Sequence, residues 1–225
     1  MITVDKLKKS FYLGNNEVKA VDDISYSFEV GKFYAIVGRS GGGKSTFLSL
    51  VGLLQNPDSG EIRIDGENVN SASVREKARI RNKVVGFVFQ DFCLEPEYTC
   101  GENVVLPLIP AKVKGTARKE AVERALASVG LSDRMHQKVK TLSGGEQQRI
   151  AIARALINDP GIILADEPTG NLDSENGKKI MEILKKISES GKTVIMVTHN
   201  QEDAKNADVI LTYSDGKIIE EVAVC

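Results

Sequence analysis

Nine residues from Gly38 to Thr46, reading GRSGGGKST, restrict what this chain can fold into more than any other stretch. Gly38, Gly41, Gly42 and Gly43 let backbone N–H groups turn inward with no Cβ in the way, Lys44 brings a cation, and Ser45 offers a hydroxyl to a magnesium ion. The pattern is a cradle for phosphate, with Arg39, Ser40 and Thr46 completing the segment. Such a loop belongs between a strand and a helix. Phe33 to Val37 is a short apolar run suited to a buried parallel strand, and Phe47 to Leu54 continue with apolar residues at helical spacing. A glycine-rich surface turn would account for the glycines but for neither flank. Taken alone, the loop indicates a nucleotide without saying which protein class uses it.

At 225 residues the chain has room for one large α/β domain, or for a core with a subdomain. Its charges balance to a formal net -1, so no global field points to nucleic acid or an anionic membrane. No window approaches the ~18 consecutive apolar residues of a membrane span. The opening MITVDKLKKSF lacks the apolar core of a secretion signal, and the chain is expected to be cytosolic. Cys93, Cys100 and Cys225 show no C-x-x-C spacing and are expected as reduced thiols. His136 and His199 are too few for a metal cluster, which leaves magnesium, brought by the nucleotide, as the expected metal.

Along the chain, Ile2 to Leu7 and Val18 to Phe28 alternate apolar and polar residues about a Gly14-Asn15-Asn16 turn, which predicts antiparallel strands. Phe11 and Tyr12 precede that turn; by themselves they favour core packing over a stacking face for a base. Glu61 to Asp65, between turn-forming residues, predicts a short strand pair. Arg75, Lys77, Arg79, Arg81 and Lys83 lack interleaved aromatics, so they predict a solvated helix rather than a nucleic-acid surface. Val84 to Phe89 is a buried strand ending at Gln90, and Pro96, Pro107 and Pro110 then break up the stretch to Pro110. Thr116 is expected to cap a helix carrying Val122, Leu126 and Val129, with Gly130 ending it; another helix should follow Ser143-Gly144-Gly145 and run to Asn158. Strands are expected at Gly161 to Ala165 and Thr193 to Thr198, around a helix with Ile180, Ile183, Leu184 and Ile187 that Gly191 stops. Val209 to Tyr213 and Lys217 to Glu221 form a closing hairpin. Strands alternating with helices about a parallel core predict a P-loop α/β fold, with ligands at the carboxyl ends of the strands.

Four core strands then end in groups a nucleotide uses: the phosphate loop, Gln90, Asp166-Glu167 and His199. Asp166 is placed to hold magnesium through water beside Ser45, and Glu167 to polarise an attacking water; the alternative is an acid pair capping the turn Pro168-Thr169-Gly170. LSGGEQQR, Leu142 to Arg149, puts Ser143, Gly144 and Gly145 at a helix start, which makes a second anion site. Two such surfaces fit one pocket or a head-to-tail dimer equally well.

GRSGGGKST, Gln90, LSGGEQQR, IILADEP, Asn171-Leu172-Asp173 and His199, in that order and over nearly the whole chain, resemble the nucleotide-binding cassette of ABC transporters. The resemblance implies a RecA-like parallel core with an antiparallel β subdomain, at about 1–90 and 160–225, and a helical subdomain at about 91–159. It implies ATP and Mg2+ as ligands, with ATP sandwiched in a head-to-tail homodimer, so that Ser143 and Gly145 meet the phosphate held by a partner's Gly38 to Thr46. Lys44, Glu167, His199 and Gln90 become the hydrolytic set, and Gln90 also joins Ser45 and Asp166 at the metal and couples to the membrane subunit. Asp173 crosses the dimer interface. Phe11 moves from packing to stacking on adenine, with Val18 beside it. The implied partner is an integral membrane permease, with this chain bound to its inner face and no nucleic acid involved. VGFVFQDF, ENVVLPL and GNLDS resemble the macrolide-exporter, lipoprotein-release and antimicrobial-peptide group; cell-division ATPases, which move no solute, are the alternative. Glu95, Glu97, Cys100 and Gly101 depart from that group's usual, less acidic pattern near the membrane-subunit contact.

Overall fold

The computed structural model describes residues 1–14 and 16–224, the side chain of Leu13 excepted. Asn15 of the expected first turn and the expected free thiol of Cys225 lie outside them. In chain order the elements are β1 (Ile2–Leu13), β2 (Asn16–Phe28), β3 (Phe33–Val37), α1 (Lys44–Val51), β4 (Ser59–Ile64), β5 (Glu67–Asn68), α2 (Val74–Val84) and β6 (Val85–Phe89). There follow α3 (Cys100–Val105), α4 (Gly115–Ser128), α5 (Gly144–Leu156), β7 (Ile162–Asp166), α6 (Ser174–Glu189), β8 (Thr193–Thr198), α7 (Gln201–Ala204), β9 (Val209–Ser214) and β10 (Lys217–Ala223).

Two sheets form. β2-β1-β4-β5 is antiparallel throughout, whereas β10-β9-β3-β8-β7-β6 is parallel except for the outer β10. Both faces of the six-stranded sheet are covered, which is why its central strands read as unbroken apolar runs. Along β3, Phe33, Ala35 and Val37 enter a core shared with α3, α4, α5 and α6, while Tyr34 and Ile36 enter one shared with α1 and the antiparallel sheet. β7 and β8 divide the same way, Ile163 and Val194 to the first core and Leu164 and Ile195 to the second. This period of two fixes which face of the sheet each side chain enters, while the shared direction of the parallel strands puts their carboxyl ends on one edge.

Several boundaries depart from the sequence reading. β1 runs to Leu13 rather than Leu7, because the register with β2 shifts at Val4/Leu7, Leu7/Lys9 and Lys9/Ser10 and the alternation is lost while the pairing continues. α1 begins at Lys44 and stops at Val51. Beyond it a Cβ on Gly52 would lie 2.0 Å from the Phe87 ring, and Leu53 turns left-handed at φ 58°, so the helix cannot reach Leu54. Thr116 does not cap α4: the chain enters through Gly115 at φ 61°, with Lys114 in the cap position and no side-chain cap. α3, hidden among prolines, is started by a capping box in which Thr99 and Glu102 satisfy each other's N–H groups.

Candidate active site

The phosphate loop joins β3 to α1 and is held from both flanks. A Cβ on Gly38 would lie 2.1 Å from Tyr213 O, and one on Gly43, at φ 100°, would lie 2.0 Å from Ala20 O, so only glycine fits either position. Gly43 caps α1 without a side chain and the first turn carries no acid, which leaves the helix start to an anion. Lys44 is 6% exposed, and its Nζ donates to the carbonyls of Gly38 and Arg39 at 2.9 Å each. The lysine therefore lies folded over its own loop, within reach of whatever the loop holds.

Ser45 Oγ donates to Asp166 Oδ1 at 2.9 Å, so the end of β7 meets the start of α1 where the sequence placed a metal. Burial pushes the Asp166 carboxyl above the usual aspartate range, against the Ser45 hydrogen bond, which pulls it down. The half-buried carboxylate beside a hydroxyl is an oxygen donor set suited to Mg2+, and the glycine cradle with its lysine suits a triphosphate. Among the described residues no cluster of three or more His, Cys, Asp or Glu is arranged to hold a metal by itself.

Glu167 has φ 47°, and its N–H donates to Val197 O on β8. Its Oε2 lies 2.9 Å from His199 Nδ1 and accepts the His199 main-chain N–H at 3.3 Å. This carboxylate bonds to the histidine, not across the Pro168-Thr169-Gly170 turn. Gln90 Nε2 donates to Asn171 Oδ1 at 3.3 Å, and Asn171 Nδ2 donates back to Gln90 O at 3.1 Å. The glutamine is therefore turned toward the loop after Glu167 and bonds to neither Ser45 nor Asp166.

Ser143 caps α5 in a capping box with Glu146, whose carboxyl is held below its usual range by the Ser143 N–H and hydroxyl. One acid of the chain thus already occupies part of the expected anion site. Gly145 has no room for a side chain, since a Cβ would lie 2.4 Å from Asn176 Oδ1. Among the described residues no hydrogen bond joins 143–145 to the 38–46 loop. Asp173 caps α6 through the N–H groups of Glu175 and Asn176, and those bonds lower its pKa. Phe11 and Val18 face each other across β1 and β2, both about two-fifths exposed, with Lys9 Nζ 5.7 Å from the Phe11 ring centroid.

Side chains that the motifs did not single out bind these pieces together. Arg154 on α5 donates to the carbonyls of Cys93 and Phe92, both left-handed residues beyond Gln90. Thr169 donates to the buried Asp203 on α7, whose carboxyl burial pushes up. Asn103 and Gln148, fully buried, pair with backbone groups. For Asn103 and Gln148 a polar residue inside a helix pattern is the sequence signal, but it names no partner. The acidic departure near the proposed membrane contact is partly internal, because Glu97 pairs with Lys138 and Lys140. A cleft of 1180 Å³ lies away from the phosphate loop, between α2, β6 and α5. It is lined by Arg75, Arg79, Lys83, Lys112 and Arg154 with apolar Phe87 beneath, and Glu76 is its only acid.

Residues 21–170 match the family described as ABC transporter. The chain is 47% identical over 221 residues to the macrolide export ATP-binding/permease protein MacB of Chlorobaculum tepidum, covering 98% of this chain but 34% of that protein. The chain thus spans about a third of the length of this relative. An uncharacterised ABC transporter ATP-binding protein of Thermotoga maritima is 46% identical over 210 residues, 93% of this chain and 90% of its own. The dimeric structure of a post-hydrolysis state of the ATP-binding cassette MJ0796, bound to ADP and Pi, superposes with a TM-score of 0.91 at 40% identity, covering 100% of this chain and 99% of that one. By family match, identity and fold together, this chain belongs to the ABC transporter family and carries its ATP-binding cassette.

Proposed function

We propose that this chain binds and hydrolyses ATP as a homodimer and thereby powers a membrane permease that exports its substrate. The observation that carries the reading is the gathering of Lys44, Ser45–Asp166 and Glu167–His199 at the carboxyl edge of one parallel sheet. Bound Mg2+ and ATP would supply the Lewis acid and the phosphoanhydride to be cleaved. Lys44 exchanges its two loop carbonyls for phosphate oxygens, and the loop N–H groups face the same anion. Ser45 and Asp166 would hold the metal, and Gln90, bonded to Asn171 in this structure, would be the third residue to hold it. Glu167 takes the proton of the attacking water, and His199 fixes the orientation of that carboxylate and holds the terminal phosphate.

Ser143, Gly144 and Gly145 make no bond to the loop of their own chain, which supports their meeting the nucleotide of a second copy, with Asp173 at the seam. The dimeric state of the similar MJ0796 cassette supports a two-copy arrangement. Phe11, with Val18, stacks on the adenine. The helical segment 91–159 acts as a subdomain that carries Ser143 toward or away from the partner, while 1–90 and 160–225 form the core. The permease belongs in the basic cleft at α2 and β6, an assignment supported by the ATP-binding/permease name of MacB and by the cleft's closeness to the end of β6, where Gln90 lies. No helix among the described residues is long and apolar enough to cross a membrane, so docking would hold the chain at the inner membrane face. The Glu167→Gln variant should bind ATP, accumulate as a dimer in light scattering and lose turnover by ~10² or more. Turnover equal to that of the unaltered chain would overturn the assignment.

A further inference from the structure

Gln148, on α5, is fully buried, and its Nε2 donates to Pro168 O at 2.6 Å and to Phe89 O at 3.2 Å. Two carbonyl acceptors fix the amide's orientation, since the flipped group would set its oxygen against both. Pro168 directly follows Glu167, and Phe89 directly precedes Gln90. One side chain therefore ties the peptide beside the acid, and the last peptide of β6, to the helix whose first turn presents Ser143, Gly144 and Gly145.

Packing does not account for this residue. Its Oε1 has no partner among the described residues, and a buried amide left half-paired serves stability less well than an apolar side chain of similar size. Its bonds do fall where the backbone most needs holding. Glu167 is a left-handed residue with a side chain, a conformation that persists only when its surroundings enforce it. The Glu167 N–H is held by Val197 O on β8, its own carbonyl accepts the Gly170 N–H, and the carbonyl of the following residue, Pro168, is held by Gln148. Without the Gln148 hold, the Pro168–Thr169 peptide is free to relax, the turn that fixes the left-handed Glu167 loosens, and the carboxylate loses its aim.

The geometry points to Gln148 as a positioning residue for hydrolysis, which links the orientation of α5, and so of Ser143 to Gly145, to the aim of the Glu167 carboxylate. This rests on the reading of Glu167 as the base. Nucleotide binding, which uses Lys44 and Ser45, does not pass through it.

The test uses the full chain with Gln148→Leu and Gln148→Met, which remove both bonds at similar volume, and with Ile152→Val as a packing control on the same buried helix. Steady-state ATP turnover and thermal melting are measured for each. The expected result is a fall in kcat of at least fivefold in both glutamine variants, with KM for ATP within twofold and a cooperative melt, and a smaller effect in the control. A smaller fall, a rise in KM that matches the fall, or an equal fall in Ile152→Val overturns the proposal. Failure of both glutamine variants to melt cooperatively also overturns it, because Gln148 would then be holding the fold. If instead Glu167→Gln turns over ATP at the full rate, it is the base assignment that fails. Loss of turnover in that variant beside full-rate glutamine variants would sink this inference alone.

Discussion

Glu167 Oε2 accepts the main-chain N–H of His199 at 3.3 Å and lies 2.9 Å from its Nδ1, so acid and histidine form one unit at the ends of adjacent strands β7 and β8. The acid side chain is 16% exposed and the histidine ring 61%, which leaves the ring as the outer member. Replacement of the ring removes half of the carboxylate's support while the main-chain bond remains. His199→Ala is expected to lower turnover by ~10² with ATP affinity within a few-fold. Isothermal titration beside a phosphate-release assay separates the two, and turnover within threefold of the unaltered chain would make the pair merely structural.

Asp166 predicts a conflict between stability and function. Its folded-state pKa is raised by burial, so ionisation costs the nucleotide-free fold stability as pH rises from the ordinary aspartate range through the raised value, and that loss persists above it. Asp166→Asn should therefore melt higher than the unaltered chain at pH 7 without nucleotide, with the advantage gone below about pH 4. The same variant should lose turnover by ~10² or more, because the metal loses its carboxylate. Melting curves across pH check the first half; an advantage that grows on acidification would contradict it.

Gly145 is constrained by its own chain. The Asn176 Oδ1 atom lies where a Cβ would stand, and that same side chain donates through Nδ2 to Asp173. Gly145→Ala is expected to cost about 1–3 kcal/mol in urea denaturation. Adding Asn176→Ala should recover part of the loss, and strict additivity of the two changes would show that the contact is not the cause.

Phe11 tests the base site. Half-exposed on a hairpin and approached by Lys9, it gives a purine a flat apolar face. Phe11→Ala should weaken ATP binding about tenfold and Phe11→Tyr should restore it, as read by nucleotide titration; equal affinities in all three would remove the residue from the site.

The basic cleft predicts an acidic partner segment. Arg75→Glu with Arg79→Glu should reduce recovery of the chain with the proposed permease from detergent extracts, most strongly at low salt, with melting temperature as the control for folding. Undiminished recovery would place the permease elsewhere.

The ligand side of this fold was legible because chemistry and topology coincide there. β3, Gly38 to Thr46 and α1 announce one another, and the strands delivering Asp166 and His199 are apolar on both faces because both faces are covered. What escaped depends on contacts remote in sequence. The shifts in the β1–β2 register erase the alternation that marks a strand, and α3 is too short for propensity to show it, although Thr99 and Glu102 spelled its cap. Gln148, although inside LSGGEQQR, and Arg154 and Asp203 are polar letters on helices that name no partner. Only the fold shows that they bond to Pro168, to Phe92 and Cys93, and to Thr169.

Gly38 and Gly43 press against the carbonyls of Tyr213 and Ala20, and the Tyr213 hydroxyl itself donates to Ala20 O at 2.7 Å. The cradle is thus wedged between β9 and β2 before any ligand arrives. Its ordering entropy is incurred when the chain folds, not when nucleotide binds. Capture of ATP by a single copy should consequently need little rearrangement of the loop backbone, and in the proposed cycle the slow events would be the meeting and parting of two copies.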